Sequence, residues 1–295
     1  MLTVMGATGN TGKKVVELLL SAGQEVRALG RSEDRLAELR ARGAEVFVGD
    51  PSDAAFLAKA FRGADAVYTL LPADRESPDY HADQRSKGEA IIQALQDSGV
   101  RHVVALSSLG AEQPSGTGLL ATLHAQEERL KTLKDTNVLL LRPVSFFENF
   151  FDALHVIAHQ GVNADAVDAD LAIPMIASRD IADVAAKALL RRDWKGLAIR
   201  ELLGPRDLSY REATRLLGAR LGKPGLEYVQ LAPTEMTQAM MRAGMSETFA
   251  GLYVEMTRAF NEGRVLPREG RTGANTTPTR FEDFVDELAL AATER

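Results

Sequence analysis

Cysteine is absent from the 295 residues. Disulfides, thiolate nucleophiles and cysteine metal sites are therefore excluded. The absence fits a reducing cytoplasm, which is the expected location. Long apolar runs are absent too, since none approaches the ~20 residues of a membrane span. The first strand is expected to begin at residue 2, which leaves no room for a cleaved leader. Nor is there an excess of positive charge. Lys and Arg number 35 against 41 Asp and Glu, a net charge of −6, which argues against a nucleic-acid surface. What remains is an ordinary balance for a soluble chain, 45% hydrophobic and 26% charged. The length suits one large α/β domain, or one domain with an added lobe.

What is present begins almost at once. Gly6-Ala7-Thr8-Gly9-Asn10-Thr11-Gly12 follows the apolar run Leu2-Thr3-Val4-Met5 and precedes the helical pattern Val15, Val16, Leu18, Leu19, Leu20. Strand, glycine turn and helix in this order hold a dinucleotide pyrophosphate. One glycine permits the turn, another lets backbone approach a phosphate, and a third lets the helix pack close to the sheet. The N–H groups of the first helical turn lack internal partners, and the helix dipole favours an anion. Thr8, Asn10 and Thr11 are expected to add side-chain donors.

The next strand, 25–29, runs into Gly30-Arg31-Ser32. An NAD-binding chain usually places a carboxylate there for the ribose hydroxyls. A guanidinium stands there instead and suits a 2′-phosphate, so the expected cofactor is NADP(H).

Apolar strand candidates fall at 2–5, 25–29, 45–48, 65–70, 102–107 and 137–142, with helical stretches at roughly 11–22, 33–42, 53–61, 80–98 and 119–134. This alternation predicts an α/β fold, a Rossmann-type doubly wound parallel sheet covered on both faces. Ligands in such sheets sit at the carboxyl ends of the strands, near the reversal of strand order. That directs attention to Asp50, to Leu70-Leu71-Pro72, to Ser107-Ser108 and to Pro143-Val144. A strand at 171–176 and a helix at 179–191 are expected to return to residues 1–150, forming the NADP-binding domain with them. Residues 151–170 and 196–295, the latter with a strand near 197–203, are expected to form a smaller, mainly helical substrate lobe.

Phe146, Phe147, Phe150 and Phe151 make i,i+4 pairs just after the sixth strand. Phe146, Phe147 and Phe150 are expected to wall a pocket for a flat apolar substrate, although core packing is the blander reading. Met236, Met240, Met241 and Met245 recur at helical spacing, as core or as a pliable lid. His155 and His159 stand four apart, but no nearby carboxylate completes a zinc set and no metal is expected.

Together these motifs resemble the NmrA-like branch of the short-chain dehydrogenase/reductase superfamily. The resemblance is carried by the glycine loop, by Val26-Arg27-Ala28-Leu29-Gly30-Arg31, by Gly49-Asp50 and by Ser107-Ser108-Leu109-Gly110-Ala111. Leu141-Arg142-Pro143 through Phe147-Glu148-Asn149-Phe150, Arg179-Asp180-Ile181-Ala182 and Thr277-Pro278-Thr279 complete it. It implies one of two functions. One is an NADPH-dependent reductase of quinones, azo compounds or dyes. The other is an NADP(H)-binding redox sensor that acts through a protein partner. Either is compatible with a monomer or a homodimer.

A typical short-chain reductase carries Tyr-x-x-x-Lys on the helix after the Ser-bearing strand, where the phenol moves the proton. Aligned on Glu128, this chain has Leu120 at the tyrosine position and His124 at the lysine position. The resemblance then implies that His124 meets the nicotinamide ribose or the substrate, or acts as a weak general acid, and that Ser107 contacts nicotinamide or substrate, making these two the candidate catalytic residues. No phenol stands on this helix. Hydride transfer to a quinone or dye survives that loss, because the proton can come from water.

Overall fold

The computed structural model describes residues 1–293. The N-terminal half alternates as the periodicity predicts: β1 (Leu2–Val4), α1 (Asn10–Ser21), β2 (Val26–Gly30), α2 (Glu33–Ala41), β3 (Glu45–Val48), α3 (Ala54–Phe61), β4 (Ala66–Thr69), α4 (Tyr80–Ser98), β5 (His102–Leu106), α5 (Leu119–Lys131) and β6 (Asn137–Pro143). The second half runs β7 (Ser145–Phe146), a 3-10 turn (Phe147–Asn149), α6 (Phe150–Gln160), β8 (Val162–Asp165), β9 (Ile173–Ile176), α7 (Ser178–Arg191), β10 (Leu197–Leu202), β11 (Asp207–Leu208), α8 (Tyr210–Arg220), β12 (Glu227–Gln230), α9 (Pro233–Arg242), α10 (Glu247–Asn261) and α11 (Phe281–Thr293). Helix starts follow the local chemistry. Ser32, Asp53 and Asp79 each accept a backbone N–H of the helix that follows.

Seven parallel strands form the main sheet in the order β10-β6-β5-β4-β1-β2-β3. The chain lays β2 and β3 to one side of β1, then crosses back to place β4 on the other. The order therefore reverses between β1 and β4, and the crevice at their carboxyl ends holds the glycine loop. Strand side chains alternate between the faces. Val4, Tyr68, Val104 and Leu139 pack against α1 and α7, while Met5, Val67, Val103 and Leu140 pack against α3 and α4.

Two strands sit differently from the expectation. β10 joins the main sheet on β6 as its seventh strand, although 196–295 is assigned by sequence to the lobe. Its edge position leaves Leu197 and Ile199 45% and 47% exposed, so the strand lacks the apolar run of a central one. β9 joins a three-stranded sheet with β7 and β11 rather than the main sheet, whereas α7 packs on α1.

The lobe has its own core. Phe147, Phe150, Leu154, Leu217, Phe284 and Leu288 are all buried there. A buried ring or leucine of this kind stabilises by roughly 1.5–3 kcal/mol. Two of the motif segments fasten this lobe to the sheet. Glu148 accepts Ser178 N–H at 3.0 Å and Ser178 Oγ at 2.5 Å, capping α7. Asp180 accepts Thr279 N–H at 3.0 Å and Oγ1 at 2.7 Å. Among the described residues no helix is long and apolar enough to cross a membrane.

Candidate active site

The glycine loop forms an anion cradle. Gly6 turns the chain off β1 at φ +63°, a left-handed conformation that favours glycine, directly over Leu70. No side chain caps α1, and its first turn carries no acid. Lys13 N–H is the first to find a helical acceptor, Gly9 O at 3.1 Å. The N–H groups of Asn10, Thr11 and Gly12 precede it and open from the helix end. These residues fit a pyrophosphate on geometry alone. The expected donors differ in their uses. Asn10 is exposed, while Thr8 offers its carbonyl to Arg35 Nη2 at 3.1 Å. Thr11 points inward, its hydroxyl accepting from the buried Tyr68 at 3.0 Å, so only its N–H faces a ligand.

A Cβ on Gly12 would lie 2.2 Å from Gly6 O and 2.7 Å from Gly6 C. Both are backbone atoms, so α1 or the loop would have to move. Gly12→Ala is expected to cost ~1–3 kcal/mol of stability, and to weaken NADPH binding about tenfold through the displaced N–H groups. Melting and fluorescence titration read the two effects separately. A variant that binds NADPH like the wild type would show that the close approach is dispensable.

At the adenosine end Arg31 is exposed at the tip of β2 and makes no ion pair among the described residues. Asp50, after β3, is exposed as well. The Ser52 hydroxyl and amide hydrogen-bond its carboxyl and hold it below the usual range, aided by the charges of Lys87 and Arg31. Lys87 is a residue that sequence reasoning missed. It is buried on α4, with Nζ 3.0 Å from Pro72 O and 2.7 Å from Asp83 Oδ2, and it ties down the turn after β4. Leu70, Leu71 and Pro72 are half-buried along that turn.

At the carboxyl ends of β5 and β6, where the nicotinamide is expected, Ser107 has a buried partner. Its Oγ donates to Glu127 Oε1 at 2.5 Å in a buried network. Arg142 closes that network with Nε 2.9 Å from Glu127 Oε1 and Nη2 2.5 Å from Oε2. Burial disfavours the Arg142 cation, but Glu127, with Glu112 and Glu201 nearby, more than offsets this and raises its pKa. Ser107 thus ties β5 to α5 and β6 through its hydrogen atom, while its oxygen still has capacity to accept. Glu127 stands 20 residues away and carries no signal of its own in the sequence. Pro143 and Val144 are buried, with Pro143 O accepting Leu109 N–H at 2.9 Å. They form the floor of this end.

His124 is half-buried on α5, with Nδ1 2.9 Å from Ala111 O. A carbonyl only accepts, so Nδ1 carries a hydrogen, and in the neutral ring Nε2 is then an acceptor. That tautomer suits a ribose hydroxyl and does not suit a neutral proton donor. Leu120, at the place of the missing phenol, is buried.

The three phenylalanines separate. Phe150 lines a cavity of about 780 Å³ in the lobe, together with Leu119, Met240, Phe249, Tyr253 and Met256. Phe147 does not line it. Its ring packs 5.1 Å from Phe281 and 5.4 Å from Phe284 in the lobe core. Phe146 is half-buried against the main-sheet core. The cavity also takes in Met236 and Met245, which places most of the methionine stripe on its wall. The rings of His155 and His159 lie 4.3 Å apart on α6, tilted by 57°, and among the described residues no cluster of three potential ligands forms a metal site.

A family model described as NAD(P)H-binding matches residues 6–192, the stretch from the glycine loop to the end of α7. The chain belongs to this NAD(P)H-binding family. It is 33% identical over 243 residues to the (4-alkanoyl-5-oxo-2,5-dihydrofuran-3-yl)methyl phosphate reductase of Streptomyces griseus, covering 82% of this chain and 80% of the relative. The NAD(P)H azoreductase of Xenophilus azovorans is 29% identical over 256 residues, covering 87% and 86%. Among solved structures, the Escherichia coli NADPH-dependent quinone oxidoreductase QOR2 bound to NADPH superposes with a TM-score of 0.80 at 22% identity, covering 98% of this chain and 99% of that one. NmrA is also among the similar folds, in line with the resemblance read from the motifs. The class the relatives share, NAD(P)H-dependent oxidoreductase, holds for this chain.

Proposed function

We propose that this protein is an NADPH-dependent reductase whose acceptor is an apolar conjugated compound, a quinone or an azo compound. The observation that carries the reading is the cavity. It lies in the lobe, and its walls include Leu119 at the start of α5 and Asn149 at the end of the 3-10 turn that follows β7. Its aromatic and methionine lining suits a flat ring system. Bound NADPH supplies the hydride. The chain's own residues then do the rest. The α1 amides and Gly6 turn hold the pyrophosphate, Arg31 meets the 2′-phosphate, and His124 Nε2 accepts from the ribose. Phe150, Phe249 and the methionines orient the acceptor and exclude water, so catalysis draws chiefly on proximity. The relatives that act on an azo compound and on an unsaturated lactone phosphate support a conjugated acceptor.

The test follows NADPH absorbance against a panel of quinones and azo dyes. Turnover well above the enzyme-free rate is expected for at least one class. Tight NADPH binding with no turnover on any acceptor would overturn the reductase in favour of a redox sensor that acts through a protein partner. Phe147→Ala is a poor probe in this assay, since that ring belongs to the lobe core. Met245→Ala opens the cavity wall instead and is expected to raise the acceptor KM several-fold while NADPH affinity stays unchanged.

A further inference from the structure

The acceptor cavity has aromatic and methionine side chains on its wall beside charged groups such as Arg75, Asp152 and Glu235, and it also holds a hydrogen-bonded acid–phenol pair. Asp165, the last residue of β8, has Oδ2 2.7 Å from the hydroxyl of Tyr253 on α10. Its Oδ1 accepts the N–H groups of Ala166 at 2.6 Å and Val167 at 3.3 Å. Both residues line the cavity. We propose that Tyr253 is the proton donor to the reduced acceptor and that Asp165 resupplies its proton, so that the pair replaces the phenol α5 lacks. The proposal rests on the reductase reading.

The packing of α10 on α5 brings the phenol there. Gly118, just before α5, meets the backbone of α10 so closely that a Cβ would stand 1.9 Å from Leu252 O and 2.7 Å from Met256 N. Only glycine admits this approach. It docks the turn of α10 that carries Tyr253 against the first turn of α5, where Leu120 occupies the usual tyrosine position. Leu119 and Tyr253 consequently share one cavity wall. A hydroxyl from a different helix thus enters the cavity beside the first turn of α5, on the side of Leu119.

The surroundings suit a proton reservoir. Among the described residues no Lys, Arg or His pairs with Asp165. The groups that face it are phenols: Tyr253 from α10, Tyr210 from α8 and Tyr228 from β12, and Asp168 on the loop after β8 acts on Tyr228. Arg75, Asp152, His155, Glu235 and Arg242 stand elsewhere on the cavity wall. Burial raises the Asp165 pKa against the lowering effect of its three hydrogen bonds, and burial likewise pushes the Tyr253 hydroxyl up. With Asp165 protonated, its hydroxyl donates to the Tyr253 oxygen and the phenol hydrogen turns into the cavity.

The step balances as follows. Two electrons and one hydrogen arrive as hydride at the β-carbon of a conjugated C=C–C=O acceptor. The π pair moves onto the carbonyl oxygen, which takes the Tyr253 proton. Tyr253 takes the Asp165 proton, and the Asp165 carboxylate regains one from water entering the cavity. The sum is NADPH, a proton and the acceptor giving NADP⁺ and the saturated carbonyl after tautomerisation.

The test compares Tyr253→Phe and Asp165→Asn with the wild type on an α,β-unsaturated ketone and on a quinone. Loss of a general acid is expected to lower kcat on the ketone about 100-fold, with the ketone KM within threefold and NADPH affinity unchanged. The quinone is expected to lose much less, because its hydroquinone anion takes a proton from water. Wild-type kcat should fall as pH rises through the Asp165 pKa, and Asp165→Asn should lose that limb. Asparagine still accepts the two backbone N–H groups, and Tyr253→Phe carries the test if Asp165→Asn fails to fold. Independently of turnover, calorimetric affinity of the cofactor-free protein for a non-reducible saturated ketone analogue should fall about fivefold in Tyr253→Phe. Variants that keep kcat on the ketone within twofold would overturn the proposal alone. A wild type that reduces no acceptor would overturn the reductase reading and this proposal with it.

Discussion

Replacing Arg142 by leucine is expected to destabilise the protein by about 3–5 kcal/mol, the usual cost of removing one partner of a buried ion pair. For a chain of this size that corresponds to a fall in Tm on the order of 10 °C. The side chains of Arg142 and Glu127 are only 6% and 2% exposed, and the pair is bidentate. Leucine removes the cation and leaves Glu127 buried, with Ser107 Oγ as its remaining side-chain donor. Glu112, which meets Arg142 Nη1 at 3.4 Å, loses its nearest cation as well. The attraction within the pair does not make it a large net gain, because desolvation opposes it. The double variant Arg142→Leu/Glu127→Leu should therefore recover most of the loss. Urea midpoints of the two single variants and the double variant give the coupling. A single-variant loss below about 1 kcal/mol would show that the network is solvated in solution. Activity should suffer beyond stability, since the pair joins the ends of β5, α5 and β6 that floor the nicotinamide end.

How far the sequence announces all this depends on the range of the interaction. The glycine loop, the six early strands and the carboxyl-end residues follow from local patterns, since turn geometry and strand period are written within a few positions. β10 escapes because an edge strand needs no continuous apolar run, and nothing local says which sheet it joins. Phe147 misleads for a local reason. The expectation of i,i+4 pairs assumes one continuous helix, whereas the chain passes from β7 through a 3-10 turn into α6. The turn shifts the phase, so Phe147 rotates into the lobe core while Phe150 keeps the cavity. Ser107 reads identically whether its hydroxyl meets a ligand or a buried acid. The Asp165–Tyr253 pair spans 88 residues and depends on Gly118 admitting α10, so no single window shows it.

Arg31→Ala is expected to weaken NADPH binding by roughly 10- to 100-fold, the loss of one or two charge-assisted hydrogen bonds to a phosphate, and to leave NADH affinity within about twofold. The selectivity follows from the chemistry at the end of β2. No carboxylate stands there to take the ribose diol, so the chain has little to offer NADH at that point. Arg31 is exposed and makes no ion pair among the described residues, so no salt bridge has to break when it meets a dianion. Arg35 is less free, because its guanidinium is held on Thr8 O at 3.1 Å and braces the glycine loop. Arg35→Ala should accordingly weaken both cofactors together, through the loop, and shift their ratio little. Asp50 limits the effect. Its carboxyl stays ionised near Arg31 and partly satisfies that charge before the cofactor arrives. The site is open to solvent, so the NADPH preference should shrink as salt rises, and it should shrink less in Arg31→Ala. Arg31→Lys keeps the charge but loses the planar fork, and an intermediate preference is expected. Fluorescence titrations with both cofactors at low and high salt decide the matter. An unchanged ratio in Arg31→Ala would move the 2′-phosphate contact elsewhere, with Arg35 the next residue to test.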